Sequence, residues 1–357
     1  MGRTIAVIGG GYGGSLVARE LDDTADVVLI DPRDAFVNAA GSLRALTRPD
    51  FAPRIFFPFA TLLSRGHFVR GAAVSVDPRG VELADGRRVD ADYLVLATGS
   101  GYTYPAKPRA GVTSSAEALD DLRATHEHLA AAGRVLIVGA GPVGLELAAE
   151  IKEVWPDKHV VVVDRNAEVL PGFLLPEVRD DLLAQLGRAG IELRLGTTVT
   201  GLPEPGHHGE FRVATGAGDV ITADIWFRAN GVSINTGYLA DGKLTTLTER
   251  GTVPVTERLT VRGHDHVYAL GDIADLPDPK MASYAQQQAQ TVVTNLRAQL
   301  TGERPEAVHP LSPPRMLIPL GTQGGAGQIS GPVSVETVQE RKGKDLFTAQ
   351  YARRFQR

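Results

Sequence analysis

The sequence predicts an α/β protein with two Rossmann-like dinucleotide-binding domains and a small α+β C-terminal domain. Three observations support this fold class. A β-like run ends in the glycine motif Gly9-x-Gly11-x-x-Gly14, the same strand–motif–helix pattern recurs at Gly139-x-Gly141-x-x-Gly144, and an acidic residue follows each motif at the end of a second β-like run. The length of 357 residues suits two such domains and a smaller third one.

The first motif stands at the end of a β-branched run, Thr4–Ile8, and an apolar helical pattern follows it. Gly9 permits a tight turn, Gly11 lets the backbone approach a pyrophosphate, and Gly14 lets the helix pack close to the strand. The helix N-terminus adds unpaired N–H groups and partial positive charge, which favour phosphate. Asp31 stands where an acid can accept a hydrogen bond from a ribose hydroxyl. A tight turn without a ligand is the less favoured interpretation, because strand, motif, helix, strand and acid occur in order.

The second motif follows the β-like run Arg134–Val138 and precedes a predicted helix over residues 145–154. Another β-like run, His159–Val163, comes next and ends at Asp164. Few activities need two dinucleotides, and the commonest is electron transfer from a nicotinamide to a bound flavin. We therefore expect an oxidoreductase.

Composition excludes several other functions. The chain contains no cysteine, so it has no disulfide, thiolate metal site, thiol nucleophile or redox dithiol. A formal net charge of −5 argues against nucleic acid as a partner. Histidines and carboxylates form no metal-ligand pattern, so we expect no bound metal. We expect a cytoplasmic protein, because no apolar run reaches the roughly 18 residues of a spanning helix and no targeting pattern follows Met1.

Segments beyond the motifs resemble the two-dinucleotide flavoprotein reductases, which have the pyridine nucleotide-disulfide oxidoreductase fold. Residues 93–100 resemble the strand and "ATG" turn of that family, residues 267–272 its second flavin motif, and residues 280–282 its "PKMA" segment. The nearer resemblance is to the group that holds type II NADH dehydrogenases and the ferroptosis-suppressor and apoptosis-inducing-factor-like proteins. It covers nearly the whole chain and is carried by "AAEIK" at residues 148–152 and "GQISG" at residues 327–331.

The resemblance implies FAD at the first motif and NAD(P)H at the second. Asp164 suits the 2′-hydroxyl of NADH and would repel a 2′-phosphate, whereas Arg165 could receive that phosphate. We expect NADH, with NADPH as the alternative. Asn230 departs from the family, which usually has Thr before this glycine. The implied cofactor-binding residues are Gly9, Gly11, Tyr12, Gly13, Gly14, Asp31, Pro32, Arg33, Arg44, Val74, Ala97, Thr98, Gly99, Gly139, Gly141, Pro142, Val143, Gly144, Asp164, Arg165, Asn230, Gly231, Gly271, Asp272, Lys280, Met281 and Ala282.

Glu146, two residues after the second motif, is the implied catalytic residue. It corresponds to a glutamate that family members place near the nicotinamide and flavin edge, where it could orient the nicotinamide amide or relay a proton. The alternative is an acid that only favours the first turn of a helix. Glu150, one turn later, is expected to be structural, and Lys107 is a weaker site candidate that matches a family lysine near the domain hinge.

The missing cysteines discriminate within the resembled family. Dithiol reductases and sulfide:quinone reductases both need cysteines near the flavin, so electrons from this flavin must pass directly to a diffusible acceptor. A quinone is the expected acceptor, with O2 as a side acceptor. The alternatives are a reductase of a small electron-carrier protein, a tailoring oxidoreductase for one metabolite, and a redox-sensing NADH-binding flavoprotein that is not an enzyme.

The order of segments implies a discontinuous FAD-binding domain of residues 1–105 and 245–305. Residues 106–244 would form the NAD(P)H-binding domain and residues 306–357 the C-terminal domain. In the C-terminal domain we predict a linker at Ser312-Pro313-Pro314 and two strands, over residues 316–320 and 333–338.

The last 17 residues contain six basic side chains and one acidic side chain. We interpret them as a helix that packs on the flavin domain and keeps its basic face in solvent. The resemblance to type II dehydrogenases implies the alternative, peripheral contact with the inner face of a membrane through this basic tail.

Overall fold

The computed structural model describes residues 2–311 and 315–356, so the predicted linker at residues 312–314 lies outside the described part of the chain. The strands are β1 (Thr4–Ile8), β2 (Asp26–Asp31), β3 (Ala35–Val37), β4 (Phe56–Pro58), β5 (His67–Arg70), β6 (Ala73–Asp77), β7 (Gly80–Leu83), β8 (Arg88–Asp90), β9 (Tyr93–Leu96), β10 (Ser100–Tyr102), β11 (Arg134–Val138), β12 (His159–Val163), β13 (Ile191–Arg194), β14 (Val199–Thr200), β15 (His208–Thr215), β16 (Val220–Arg228), β17 (Val232–Ile234), β18 (Val267–Ala269), β19 (Met316–Leu320), β20 (Gly324–Gln328) and β21 (Pro332–Val333). The helices are α1 (Tyr12–Leu21), α2 (Ser42–Thr47), α3 (Ser115–Ala131), α4 (Pro142–Val154), α5 (Pro176–Arg188), α6 (Ala282–Leu300), α7 (Val335–Val338) and α8 (Thr348–Arg354), with a π-helical segment, Gln339–Gly343, between the last two. Among the described residues, none of these helices is long and apolar enough to span a membrane.

Two parallel sheets form the centre of the fold, as the α/β class predicts. The first has the strand order β18-β9-β1-β2-β5, and the second has the order β13-β12-β11-β16-β15-β14, in which β14 and β15 run antiparallel to their neighbours. Their inner strands are apolar at nearly every position because parallel strands are covered on both faces; in β1, every residue from Ile5 to Ile8 is buried.

The two sheets repeat one arrangement. β1 lies between β2 and β9, and β11 lies between β12 and β16, with parallel pairing throughout. β18, from far along the chain, joins the first sheet beside β9, and β19-β20-β21 form a separate antiparallel sheet. We propose that the three sheets mark three domains with the boundaries given above.

One predicted strand is wrong. Residues 333–338 alternate valine with polar residues, which suggested a strand, but β21 ends at Val333 and α7 begins two residues later. The hydroxyl of Ser334 accepts a hydrogen bond from the backbone N–H of Thr337 at 3.2 Å, so a serine N-cap starts a helix there. The strand predicted at Met316–Leu320 is present with those bounds.

The C-terminal tail packs its apolar side chains into the first sheet's core. Tyr351 and Phe355 are buried, and their rings lie 4.8 and 5.4 Å from the ring of Phe36. Phe57 and Phe59 complete the cluster at 5.6 and 6.3 Å from Phe355. The tail is therefore part of the folded core of this region.

Phe355→Ala is expected to destabilise the protein by about 3–5 kcal/mol, because it leaves a cavity beside the three aromatic rings that Phe355 contacts. Thermal unfolding of the purified protein measures this effect. Arg353→Ala, an exposed neighbour on α8, is the matched control and should stay within about 0.5 kcal/mol of wild type. Equal stability of both variants would contradict the docking of the tail.

Candidate active site

The first glycine turn combines tight packing with one open position. Gly9 has φ of +102°, and a Cβ added there would lie 2.5 Å from the carbonyl oxygen of Ala97. A Cβ at Gly14 would lie 1.9 Å from the carbonyl oxygen of Gly9, so this glycine lets α1 approach β1. At Gly11, no described atom lies within 4 Å of an added Cβ. The open space is where a pyrophosphate would approach the backbone, so the turn fits a dinucleotide.

The second glycine turn repeats these distances. A Cβ at Gly139, where φ is +122°, would lie 2.7 Å from the carbonyl oxygen of Ala229, and one at Gly144 would lie 1.9 Å from that of Gly139. Gly141 again has no described atom within 4 Å of an added Cβ. The two turns thus offer the same cradle to two ligands of the same kind.

An acid lies beside each turn. Asp31 accepts a hydrogen bond from the backbone N–H of Gly10 at 2.8 Å, and Asp164 accepts one from that of Ala140 at 2.7 Å. Asp31 is also paired with the guanidinium of Arg33 at 3.1 Å, and this partner raises the pKa of Arg33. Both carboxylates are therefore positioned where a ribose next to the turn could donate to them.

A cavity of about 1380 Å³ begins at the first turn and extends to the end of β16. Many predicted cofactor-binding residues line it together: Gly9, Gly11, Tyr12, Gly13, Asp31, Pro32, Arg33, Ala97, Thr98, Gly99, Asn230, Gly231, Gly271, Asp272, Lys280, Met281 and Ala282. Asn230 and Gly231 lie in the loop that follows β16 of the second sheet, whereas the others come from the first sheet and the segments next to it. The cavity therefore adjoins both halves of the chain.

The remaining predicted residues lie elsewhere. Gly139, Gly141, Pro142, Val143, Gly144, Asp164 and Arg165 surround the second turn, and Gly14 lies in the packed contact between α1 and β1. Val74 is half exposed, next to the lining residue Ala73, and Arg44 is bound to Glu150. Their roles stay predictions.

Lys107, the weaker candidate, lines the cavity as well. Its ammonium donates to the carbonyl oxygen of Ser100, and the hydroxyl of Ser100 donates to Asp272 of the second flavin motif. Burial lowers the pKa of Lys107, and Asp272 opposes that shift. The lysine thus links the domain hinge to Asp272.

Gln288 is a supporting residue that the sequence did not indicate. Its side chain accepts from the backbone N–H of Gly271 at 2.6 Å and donates to Asp278 at 2.7 Å. Asp278 is in turn 2.6 Å from the imidazole of His309. These buried contacts hold the Gly271 turn, and because they join distant segments, no local pattern predicts them.

Glu146 is buried and forms an ion pair with Lys342 in the π-helical segment, 2.6 Å from Nζ to Oε1. Burial raises the pKa of Glu146, and Lys342 opposes that shift. The pKa of Tyr12, a cavity-lining residue, is raised by burial and further by Tyr351 and Glu146. Glu146 is therefore close to the cavity wall but not among the lining residues. The sequence indicates that Lys342 is one of several basic residues near the C-terminus, but it does not indicate that Glu146 is its partner. The pair was therefore not predicted.

Comparison with known proteins agrees with this geometry. Residues 3–289 match the family model of the pyridine nucleotide-disulphide oxidoreductases. Ferroptosis suppressor protein 1 of Taeniopygia guttata is 32% identical over 353 residues, which cover 97% of this chain and 94% of that protein. Apoptosis-inducing factor homolog B of Dictyostelium discoideum is 29% identical over 371 residues, with coverage of 98% and 96%.

Among solved structures, the sulfide:quinone oxidoreductase of Aquifex aeolicus has the same fold, with a TM-score of 0.77 at 17% identity and coverage of 99% of this chain and 91% of that one. The family match spans most of the chain and includes both glycine turns. This chain therefore belongs to the pyridine nucleotide-disulphide oxidoreductase family and uses FAD and NAD(P)H as its cofactors.

Proposed function

We propose that the chain passes a hydride from NADH to FAD and electrons onward to a quinone-type acceptor. The observation that carries this proposal is the absence of cysteine from a member of a family named for disulphide chemistry. Without a dithiol, electrons must go from the flavin to a diffusible acceptor. A quinone can accept electrons from a reduced flavin without a thiol. The enzyme from Aquifex aeolicus that has the same fold is named for a quinone acceptor.

The cavity supports direct transfer between the two cofactors. FAD, when bound, supplies the redox chemistry: it accepts a hydride and releases electrons to the acceptor. Residues from both halves of the chain line this same cavity, so the role of the protein is to hold the reacting groups in contact. Aromatic and apolar side chains of Tyr12, Phe36 and Met281 are among the lining and suit a flat apolar acceptor.

Glu146 and Lys342 would handle protons. Reduction of a quinone by NADH consumes one proton beyond the hydride, and the ammonium of Lys342 lies within hydrogen-bond distance of the Glu146 carboxylate. A glutamate whose pKa is raised exchanges protons more readily near neutral pH. We propose that this pair relays the proton, and that the ammonium of Lys342 fixes the Glu146 carboxylate by donating to its Oε1.

Steady-state turnover with an acceptor panel tests the proposal. The panel contains a short-chain ubiquinone, a plant-type ferredoxin and O2, with NADH as donor. The quinone should give a kcat/KM at least tenfold above the ferredoxin, and turnover with O2 should be slower still. Preference for ferredoxin would favour the carrier-protein reductase, and turnover with none would favour the metabolite-specific enzyme. Slow flavin reduction by NADH, with a long-lived charge-transfer band, would favour the redox sensor.

We expect kcat/KM for NADH to exceed that for NADPH by at least tenfold. The carboxylate of Asp164 lies at the end of β12 beside the second turn, where it would repel a 2′-phosphate. Asp164→Asn removes the negative charge and should reduce the preference for NADH over NADPH. Asp157 is an exposed acid before β12, and Asp157→Asn should leave that preference unchanged. A wild-type preference for NADPH would assign the phosphate to Arg165 and overturn the proposed donor.

Membrane contact through the tail rests on charge alone, because the apolar side chains Tyr351 and Phe355 are buried. We expect little co-sedimentation with phosphatidylserine vesicles at physiological salt, and the same from the triple variant Arg341→Glu, Lys344→Glu, Arg353→Glu. These three side chains are exposed, and each would add about 1 kcal/mol at an anionic surface. Strong binding by wild type that the triple variant loses would establish the membrane alternative.

A further inference from the structure

The guanidinium of Arg44 is buried between three distant parts of the chain. On α2, it holds Glu150 of α4 through Nε and Nη2, at 2.9 and 2.8 Å. It also donates to three backbone carbonyl oxygens, those of Gly343 at 2.7 Å, Lys344 at 3.3 Å and Gly321 at 3.2 Å. The side chain is 4% exposed and does not line the cavity. Its donors are therefore directed to protein groups.

The Arg44 contacts and the ion pair of Glu146 and Lys342 join the same two parts of the chain. Glu146 and Glu150 are four residues apart on α4 and so lie on the same face of the helix. Gly343, whose carbonyl Arg44 holds, directly follows Lys342. Two links thus connect α4 to adjacent residues of the π-helical segment: one from Glu146 to the Lys342 side chain, the other from Glu150 through Arg44 to the backbone.

Lys342 also donates to the carbonyl oxygen of Leu317 at 3.0 Å, but a lysine by itself fixes its position poorly, and the second link adds a rigid restraint. The ammonium of a lysine ends a flexible four-carbon stem, whereas a guanidinium is a rigid fork that can bind several acceptors in one plane. π-helical backbone is rare and holds only where its surroundings support it. The segment is also tightly packed, since a Cβ at Gly343 would lie 2.2 Å from the side-chain oxygen of Gln339.

We propose that Arg44 is a positioning residue that fixes the π-helical segment against α4 and thereby keeps the ammonium of Lys342 on Glu146. The expected effect of an Arg44 substitution on turnover rests on the proposed function, but its expected effect on the position of the Lys342 ammonium does not. This role replaces direct contact of Arg44 with the cofactor. Arg48 also binds Glu150 and reaches Glu153 at 3.0 Å, yet none of its bonds within the described part of the chain reaches the π-helical segment. It is therefore a natural control.

The test measures the amine reactivity of Lys342 in the FAD-loaded protein. A timed pulse of acetic anhydride is followed by digestion and mass spectrometry, with exposed Lys243, whose partners include Ser75 and Asp241, as the internal standard. In Arg44→Lys, the ammonium cannot hold Glu150 and the carbonyls together, so Lys342 should be acetylated at least fivefold faster than in wild type. The acetylation rate of Lys243 should be unchanged, and Arg48→Lys should change the Lys342 rate by less than twofold.

Two further readouts separate positioning from the other roles. FAD dissociation from Arg44→Lys should stay within twofold of wild type, and kcat should fall about fivefold with KM for NADH unchanged. In a Glu146→Gln background, Arg44→Lys should cause no further loss of kcat, because the pair that it positions is already broken.

A folded Arg44→Lys protein with the wild-type Lys342 rate overturns the proposal. So does rapid FAD loss without a change at Lys342, since Arg44 would then contact the cofactor. Should Arg44→Lys fail to fold, Glu150→Gln replaces it, with Lys342 expected to react at least twofold faster and an unchanged rate again overturning the idea. Full activity of Glu146→Gln would refute the proposed proton relay alone, because the Lys342 rates would still decide the role of Arg44.

Discussion

Gly11→Ala yields a folded protein that binds FAD at least tenfold more weakly, whereas Gly141→Ala keeps FAD and binds NADH at least tenfold more weakly. Both glycines have extended backbone, with φ of −70° and −75°, so alanine adopts the same conformation. Neither new methyl group would meet a described atom within 4 Å. Each methyl would instead occupy the space in which a pyrophosphate approaches the backbone.

Each variant is the control of the other. Both substitutions replace the N-cap glycine of a helix with alanine, at a similar cost of about 1 kcal/mol. Flavin absorbance after gel filtration measures FAD content, stopped-flow reduction at varied NADH gives the nicotinamide affinity, and thermal unfolding confirms the fold. Loss of FAD in Gly141→Ala with retention in Gly11→Ala would reverse the assignment of the two turns. Normal binding in both would mean that neither turn holds a dinucleotide.

The glycine turns were predictable because each pattern, from its first strand to its acid, lies within about 30 consecutive residues. β1, β11 and β12 have the predicted bounds, since their β-branched runs are buried on both faces and end at a glycine or an acid. The acids Asp31 and Asp164 lie beside their turns because parallel strands bring adjacent carboxyl ends to one edge. Short-range patterns thus determined the two cradles.

The ion pairs that tie the site together could not be predicted in this way. Glu146 and Lys342 are 196 positions apart, and Arg44 and Gly343 are 299 apart. Nothing near Glu146 indicates a basic partner, and the charge of the tail suggests solvent or a membrane as readily as an internal acid. The strand wrongly predicted over residues 333–338 has a related cause, because one serine cap outweighed the alternating valines.

Glu146→Gln is expected to lower kcat with a quinone by tenfold or more and to leave FAD bound. The amide keeps the size of the side chain but cannot accept and release a proton, and general acid–base catalysis typically contributes about 10²–10⁴-fold. FAD should stay because Glu146 is not among the cavity-lining residues. Glu153→Gln, a partly exposed acid on the same helix, is the matched control and should change kcat by less than twofold.

Stopped-flow kinetics then separate the two roles of Glu146. If Glu146 relays a proton, the variant slows only the reaction of the reduced enzyme with quinone, and it loses the solvent deuterium isotope effect that this step shows in wild type. If Glu146 orients the nicotinamide, the variant slows flavin reduction by NADH instead. Lys342→Met should reproduce the loss, and the double variant should be no slower than either single one, because both residues act as a pair. Wild-type rates in both half-reactions of Glu146→Gln would leave the ion pair with a structural role, and the proton would have to come from solvent.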